Sequence, residues 1–562
     1  MWKRHFDNPW ILASLAGISI VLSFPNFSLW PLSVLFPVFF LRLARCFGSA
    51  RSAFLWGLFV SFTLMVGGGY WVVYVLHVFG YLPWSVAALL FLGFCSFAAL
   101  NFPLFAVAVY WIDRWASSKN MSDGVKLVCV FPAVFCVAEY FVPKLFPWYL
   151  GHCLFKTVWL NQIAEITGAL FLSFLLVCWG GAIYGVVFGS AAGSIGRRWL
   201  IVPAALTLAA ALFSALRLAE GPARDRVLKV AIIQANIGSL EKAAARRGLG
   251  EKLRAINDLY FKMTDEAVLQ KPDLIVWPET ALAYRLNSGS ELANQVENRV
   301  RQWHVPLITG AYSSGSQSGG NDFNAAFLVE PSSVFGVRYD HYDKNVLLAF
   351  GEYMPFGKWF PSLYRAFPQV SNFERGSTQK AFELSNGTRL GISICYEMIL
   401  PEFIRKVVAQ KVHLLVNLTN DSWFGPTNEP YFHGAMSVFR AIEHRTPIVR
   451  ATNTGTSFVV DTLGRVGTFT KVYEPQVLIE EVGLPLTPPS TVYGRWGEWF
   501  VVVCLLGLIV FMIILRSSYF SLHLARQIWS RFAGFFVNKI GGVPNAVRRD
   551  FVDEKARKDA QR

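Results

Sequence analysis

The sequence predicts a two-part protein, a bundle of membrane-spanning helices joined to an α/β domain. Three observations carry this. Hydrophobic residues make up 54% of the 562 residues and charged residues only 16%, where a soluble globular chain carries about 25% charge. The apolar residues cluster into eight runs, roughly 9–25, 29–44, 53–76, 84–112, 126–143, 167–190, 199–218 and 496–515, and about 20 apolar residues cross a bilayer as a helix. Residues 228–486 instead have the composition of a soluble domain, in which short apolar strands alternate with helical periodicity.

The expected organisation is a membrane domain over 1–220 with seven spans, a catalytic domain over 228–486, an eighth span over 495–516 and a basic tail over 517–562. The first run does not read as a cleaved signal peptide, because no clear small-residue cleavage site follows it and further spans come at once. An odd number of spans puts the large domain opposite the N-terminus. Arg42, Arg45 and Arg51 follow the second run, Arg114, Lys119 and Lys126 surround the loop after the fourth, and Arg197 and Arg198 follow the sixth. The loops after the first and third carry no Lys or Arg, and that after the fifth has only Lys144 and Lys156. The positive-inside rule then makes both termini cytoplasmic and the large domain extracytoplasmic; Lys3 and Arg4 agree. Much of the +15 net charge is this topology signal, and no nucleic-acid motif accompanies it.

Within 228–486 the pattern predicts strands at 228–236, 274–277, 305–311, 323–329, 335–342, 390–395, 413–418, 446–451 and 456–461, the last two as a hairpin around Asn453-Thr454-Gly455. Helices are expected at 251–269, 291–303, near 400–410 and at 432–444, with a long irregular segment at 345–380. Of eight cysteines only Cys395 lies in this domain, so it cannot form an internal disulfide there. No Cys/His spacing reads as a metal site. Cys395 sits at a strand-to-helix junction, where backbone N–H groups of the next turn can face an oxyanion. A thiol is mostly protonated near neutral pH and needs a base or a nearby cation. Glu279, past the strand that ends at Trp277-Pro278, is a candidate base, and Lys344, past the strand at 335–342, a candidate cation. Taken singly, each has a plain reading as a solvated Glu, a solvated Lys or a buried inert Cys.

Order and context give them more weight. Trp277-Pro278-Glu279, then Lys344, then Cys395-Tyr396-Glu397 resembles the Glu-Lys-Cys signature of the nitrilase superfamily, and Arg440-Ala-Ile-Glu443, Arg450-Ala-Thr-Asn453 and Gly455 look like the same superfamily. The resemblance implies an α-β-β-α sandwich. Seven spans before the domain and one after resemble one branch, the apolipoprotein N-acyltransferases, as do Phe350-Gly351-Glu352-Tyr353, Asn417 to Gly425, Thr491 to Gly497 and Phe146-Pro147-Trp148 with Gly151. Ala325 and Thr280 stand where that family often has Ser, and the tail after 516 is longer than the family pattern.

The resemblance implies a multi-pass enzyme of a bacterial inner membrane, with a periplasmic catalytic domain, performing the last step of lipoprotein maturation by ping-pong acyl transfer. Cys395 attacks the sn-1 ester of a phospholipid, expected to be phosphatidylethanolamine. The acyl group then passes from the thioester to the N-terminal amine of an S-diacylglyceryl-cysteine apolipoprotein. Glu279 is the implied base, and Lys344, with a backbone N–H near Tyr396, the implied oxyanion holder. Glu352 is expected to hold Lys344, Glu397 to orient Cys395, and Trp423 to line the acyl pocket or to be core. No metal, nucleotide or coenzyme A is implied. A membrane-bound amidase or nitrile hydrolase, a non-catalytic lipid-binding protein and a transporter are the other readings. The intact triad weighs against the second. The few ionisable residues in the spans, chiefly Glu139 and Glu165, weigh against the third. Two further expectations concern apolar patterning: a mobile lid at 345–375, or else packing of that segment on the bundle, and an amphipathic helix beginning near Phe520 on the cytoplasmic face.

Overall fold

The computed structural model describes residues 8–118, 121–188, 197–238, 250–286, 290–314, 322–334, 336–367, 370–514 and 516. Lys3, Arg4, Lys119 and the tail at 517–562 lie outside the described residues. The chain divides into two compact units, Met1–Leu505 and Leu506–Arg562. The second is described only through 506–514, which is helical, and residue 516.

All eight apolar runs are helical. They form α1 (Pro9–Ser23), α2 (Leu35–Ala44), α3 (Ala50–Gly68), α4 (Trp84–Cys95), α5 (Asn101–Ser117), α6 (Asp123–Phe141), α7 (Leu170–Phe188), α8 (Ile201–Glu220) and a last helix at Trp499–Ile514. Capping follows the sequence. The Asn8 side chain accepts from Trp10 N ahead of α1, and Ser49 accepts from Ser52 N at 3.1 Å ahead of α3. Four helices, α3, α6, α7 and α8, are 19 or 20 residues long and apolar enough to cross a bilayer by themselves. Two runs expected to be continuous are divided. The run at 53–76 breaks at Gly69-Tyr70, at the end of three consecutive glycines, Gly67 to Gly69, that forfeit helix propensity. The run at 84–112 breaks at 96–100 and restarts with Pro103 in the first turn of α5, where its missing N–H costs nothing. Helix α7 lies deep in the bundle. A Cβ at Gly181 would fall 2.1 Å from the Leu127 carbonyl oxygen, so only glycine permits that approach to α6.

The second half contains β1 (Arg226–Gln234), β2 (Leu274–Val276), β3 (Leu307–Ser314), β4 (Asp322–Ser332), β5 (Gly336–Asp343), β6 (Ala381–Glu383), β7 (Arg389–Ile394), β8 (Leu414–Thr419), β9 (Ile448–Thr452), β10 (Phe458–Val460) and β11 (Gln476–Leu484). One sheet runs β11-β1-β2-β3-β4-β5 and the other β10-β9-β8-β7-β6. Each has a parallel centre, β1-β2-β3 and β7-β8-β9, with antiparallel flanks. Helices α9 (Gly250–Val268) and α10 (Glu291–Trp303) serve the first sheet, α11 (Pro401–Val408) and α12 (Glu429–His444) the second.

Strand alternation sorts the layers. Ala231 and Ile233 of β1 join Ile275, Leu307, Tyr260 and Val296 in a core shared with α9 and α10. Gln234, of opposite parity, points to the second sheet, where its Oε1 accepts from Thr452, Ser457 and Thr470 at 3.0, 2.8 and 2.8 Å. Two sheets thus face one another with helices outside, the α-β-β-α sandwich expected. Strands β6 and β11 are additional to the sequence reading. The first has only three residues, and in β11 the pair Glu480-Glu481 interrupts the apolar alternation.

The sandwich is tied to the bundle by polar side chains. Glu165 accepts from Arg445 at 2.8 Å and from Arg217 at 2.9 Å. Gln162 donates to the Leu463 carbonyl at 2.8 Å, and Asn428 to that of Gly68 at 3.0 Å.

Candidate active site

Strand β2 ends at Val276, and past Trp277-Pro278 the chain turns sharply at Glu279-Thr280, with Thr280 at φ +49°. The turn lies against Gly310 of β3, where a Cβ would come within 2.7 Å of Glu279 Cα. This elbow aims the Glu279 carboxylate at the ends of β4 and β5. Lys344 follows β5 directly, its N–H donating to the Asn324 carbonyl at 2.8 Å so that the ladder continues one residue further. Its ammonium, 1% exposed, donates to Glu279 Oε1 at 3.2 Å and to Glu352 Oε1 at 2.9 Å. Asn324 makes the same bridge as a neutral group, its amide donating to the two carboxylates at 2.7 and 2.8 Å. The second oxygen of Glu352 takes the Leu348 N–H at 2.8 Å.

Cys395 ends β7 and opens a single 3-10 turn, Cys395–Ile399, with φ +52°. A non-glycine residue there stores about 1–3 kcal/mol of backbone strain that its surroundings must hold. Glu397 supplies much of that hold. Its Oε2 accepts from Ile394 N at 2.9 Å, and its Oε1 from Tyr342 OH at 2.8 Å, Asn345 N at 2.7 Å and Val346 N at 2.9 Å. One buried carboxylate therefore fastens the cysteine elbow to the backbone just after Lys344. Tyr396 turns away from this cluster and donates its hydroxyl to the Leu145 carbonyl of the bundle at 2.6 Å. Trp423, half-buried, lies on the ring of Phe79 at 4.3 Å.

The electrostatics follow from burial. Removal from water pushes the Cys395 thiol well up. Glu279 adds to the rise and Lys344 opposes it. Burial also raises the Glu279 carboxyl, with Lys344 pulling it down and Glu352 pushing it up. Burial works against the Lys344 ammonium, but Glu279 and Glu352 outweigh it and hold its pKa above the usual lysine value. The resting site is thus a neutral thiol beside a permanent cation and a carboxyl of raised basicity.

A second polar cluster, to which the sequence reading assigned no roles, supports the elbow. Arg450 donates to Asp421 Oδ2 at 2.9 Å and to Asn417 Oδ1 at 2.7 Å, and His433 Nδ1 lies 3.0 Å from Asp421 Oδ1. Asn417 reaches the Cys395 carbonyl at 3.4 Å. A Cβ on Gly455 would sit 2.2 Å from Asp421 Oδ2, which accounts for the glycine in the β9–β10 hairpin. Asp421 had one visible signal, its place just past an apolar strand, as for Glu279 and Cys395. Asn324 had only the family resemblance, as the Asn before Ala325, because by pattern alone a polar residue within a strand reads as solvent-facing.

A carboxylate, an ammonium and a thiol at adjoining strand ends of an α-β-β-α sandwich define an enzyme of the carbon-nitrogen hydrolase type, here carried on apolar helices. The model of the carbon-nitrogen hydrolase family matches residues 229–487, and that of the apolipoprotein N-acyltransferase N-terminal domain matches 16–182. An apolipoprotein N-acyltransferase of Bdellovibrio bacteriovorus is 32% identical over 90% of this chain and 94% of its own length. One of Geobacter metallireducens is 32% identical over 89% and 93%. Among solved structures, an amidase from Nesterenkonia sp. AN1 aligns over 45% of this chain and 92% of its own, at 19% identity and a TM-score of 0.33. The chain belongs to the apolipoprotein N-acyltransferase family.

Proposed function

We propose that this chain is a membrane acyltransferase that moves an acyl group from a phospholipid, through a thioester on Cys395, to the N-terminal amine of a diacylglyceryl-cysteine lipoprotein. The observation that carries the reading is the bridge of Lys344 and Asn324 between Glu279 and Glu352 beside Cys395, in a domain fastened to apolar helices. A donor already dissolved in the bilayer explains why the chemistry is held there.

In the first half-reaction the Cys395 sulfur attacks the ester carbonyl while its proton passes to Glu279. Since burial holds the thiol neutral, the thiolate forms only as the electrophile arrives. The Lys344 ammonium and the Tyr396 N–H, at the start of the turn, face the developing oxyanion. Collapse returns the proton from Glu279 to the leaving alkoxide, and lysophospholipid departs. In the second half-reaction the lipoprotein amine attacks the thioester, Glu279 takes its proton and passes it to the departing sulfur, and an amide and the free thiol result. Glu352 keeps Lys344 aimed between the two carboxylates, and Glu397 keeps the elbow in register with it.

The loop charges support an extracytoplasmic catalytic domain with cytoplasmic termini. We place the protein in a bacterial inner membrane, with phosphatidylethanolamine as donor. The test is mass spectrometry of the Cys395 peptide after incubation with phospholipid. One acyl mass there, discharged by a diacylglyceryl-cysteine peptide as an N-acyl product, is expected. Discharge to water alone would make the protein a hydrolase, and no adduct would end the reading.

A further inference from the structure

Among polar groups that the proposed chemistry leaves unused, Glu429 stands apart. It is the first residue of α12 and is 2% exposed. An acid at a helix N-terminus ordinarily faces water and complements the dipole. Glu429 instead lines a cavity of about 90 Å³ between the sandwich and the ends of α1, α3 and α4. Its Oε1 has no hydrogen-bond partner among the described residues. Burial pushes its carboxyl well up, the charge of Asp421 adds to that, and Arg450 offsets only part. The cavity walls are largely aromatic, with Trp71, Phe94, Phe146, Trp148 and Phe432; Lys144 lines them too, but its ammonium is already held by the Trp148 carbonyl at 2.5 Å and over the Trp148 ring at 5.1 Å, which leaves the other four rings and Glu429 for a ligand.

A buried oxygen without a donor costs a fold free energy, so it calls for a partner. Aromatic faces attract organic cations, and an entering ammonium would favour the charged form of the otherwise raised Glu429 carboxyl, which then supplies the counter-charge and the hydrogen-bond acceptor. The cavity exceeds what one water needs and falls well short of the roughly 300–1,000 Å³ of a pocket for a larger ligand. That size suits a two-carbon ammonium arm and not an acyl chain. The wall is continuous with the nucleophile elbow: Phe146 meets Tyr396 edge-on at 5.7 Å, and Tyr396 bonds to Leu145.

We propose that this cavity binds the primary ammonium arm of a lipid substrate, Glu429 accepting its N–H groups and the rings packing on its methylenes. A quaternary ammonium has no N–H for Oε1 and is the discriminated ligand. The proposed function enters only in naming the lipids. Both substrates it assigns carry a primary ammonium on a diacyl lipid: the donor's ethanolamine is free to stay docked while its ester reacts, whereas the acceptor's α-amine would dock before reaction and must leave Glu429 as the neutral amine to attack the thioester.

The test uses the full chain as Cys395→Ala in mild detergent, with dodecylphosphoethanolamine and dodecylphosphocholine as probes, neither of which has a carboxylic ester to attack. Thermal melting against probe concentration is expected to give tighter binding of the ethanolamine probe. Glu429→Gln should weaken that binding roughly 10- to 100-fold, the scale of one charge-assisted hydrogen bond, and leave the choline probe unchanged. Equal binding of the two probes before substitution overturns the proposal, and this arm does not depend on the variant folding. Equal binding with Glu429 and with Gln overturns it as well. In the Cys395 enzyme, a raised KM of Glu429→Gln for the donor in acyl-enzyme formation identifies the headgroup. A raised KM for the diacylglyceryl-cysteine peptide in discharge identifies the α-amine, and no change in either sinks the site. Binding of the ethanolamine probe by a chain that never acylates Cys395 would refute the acyl-transfer reading and leave the ammonium site standing.

Discussion

Lys344 illustrates how much one buried side chain carries. Its charge pulls the Cys395 thiol down, and it also lowers the Glu279 carboxyl. Lys344→Met should slow acyl-enzyme formation by about 10²–10³, the usual cost of losing one oxyanion donor. The sign of a second effect follows. Without the ammonium, Glu279 rises further, so the acid limb of the acylation rate should move to higher pH. Stopped-time mass spectrometry across pH reads both, and an unshifted profile would contradict the assignment. Cys395→Ala should remain folded and inserted yet form neither thioester nor product. Cys395→Ser should be very slow, because a hydroxyl holds its proton far more tightly than a thiol and Glu279 is too weak a base for it. Full activity of the alanine variant, measured by conversion of a labelled lipopeptide, would end the mechanism.

The β8–β9 region shows what an element demands. Asp421 and Arg450 are fully buried, and His433 nearly so. Burial raises the Asp421 carboxyl, yet Arg450 and His433 outweigh it and hold it below the usual range. Asp421→Ala leaves the guanidinium uncompensated and should cost about 3–5 kcal/mol, visible as a lower melting temperature, together with a disordered elbow at Cys395. The segment at 345–367 is built differently. Leu347 and Met354 are buried and Glu352 is bonded into the site, whereas Phe350, Phe356, Trp359 and Phe360 are exposed. That split gives an anchored base and an apolar tip, the arrangement that the lid expected at 345–375 would require. Hydrogen exchange in nanodiscs should show the amides at 356–367 slowing when phospholipid is added; slow exchange throughout, indifferent to lipid, would count against a lid. The same contrast explains what was legible in the sequence. Strands such as β2, β7 and β8 and helix α10 declare themselves by uninterrupted apolar runs or by period, and Glu279, Lys344 and Cys395 stand at their ends. Asn324, Asn417 and His433 become meaningful only through long-range pairing, which a linear pattern does not encode. The broken runs at 69–70 and 96–100 carried local signals, glycines and Pro103, that hydropathy alone smooths over.

For the molecule as a whole, stability depends on groups sealed between the bundle and the sandwich. His444, 1% exposed, is pushed down to about 3 by burial, with Arg440 and Arg405 adding to the effect. In the unfolded chain it titrates near 6.5, so its contribution is fully present above that value and is lost as pH falls from about 6.5 toward 3. Each pH unit in that window removes about 1.4 kcal/mol of its share. Glu443, pushed up to about 8, acts in the opposite sense, stabilising most at low pH and losing its share as pH rises toward 8. A difference measurement therefore isolates the histidine: the melting temperature of the native chain minus that of His444→Gln should fall steadily below pH 6.5, and a constant difference would refute the assignment. The 2.6 Å bond from Tyr396 to Leu145 has a larger consequence. It ties the residue after Cys395 to the segment between α6 and α7, so a shift of the bundle lies one residue away from the sulfur. On the proposed reaction, a change of lipid composition alters both the supply of donor and the frame that holds Cys395. The acylation rate is therefore expected to vary with bilayer thickness, a dependence that nanodiscs of graded acyl length would read.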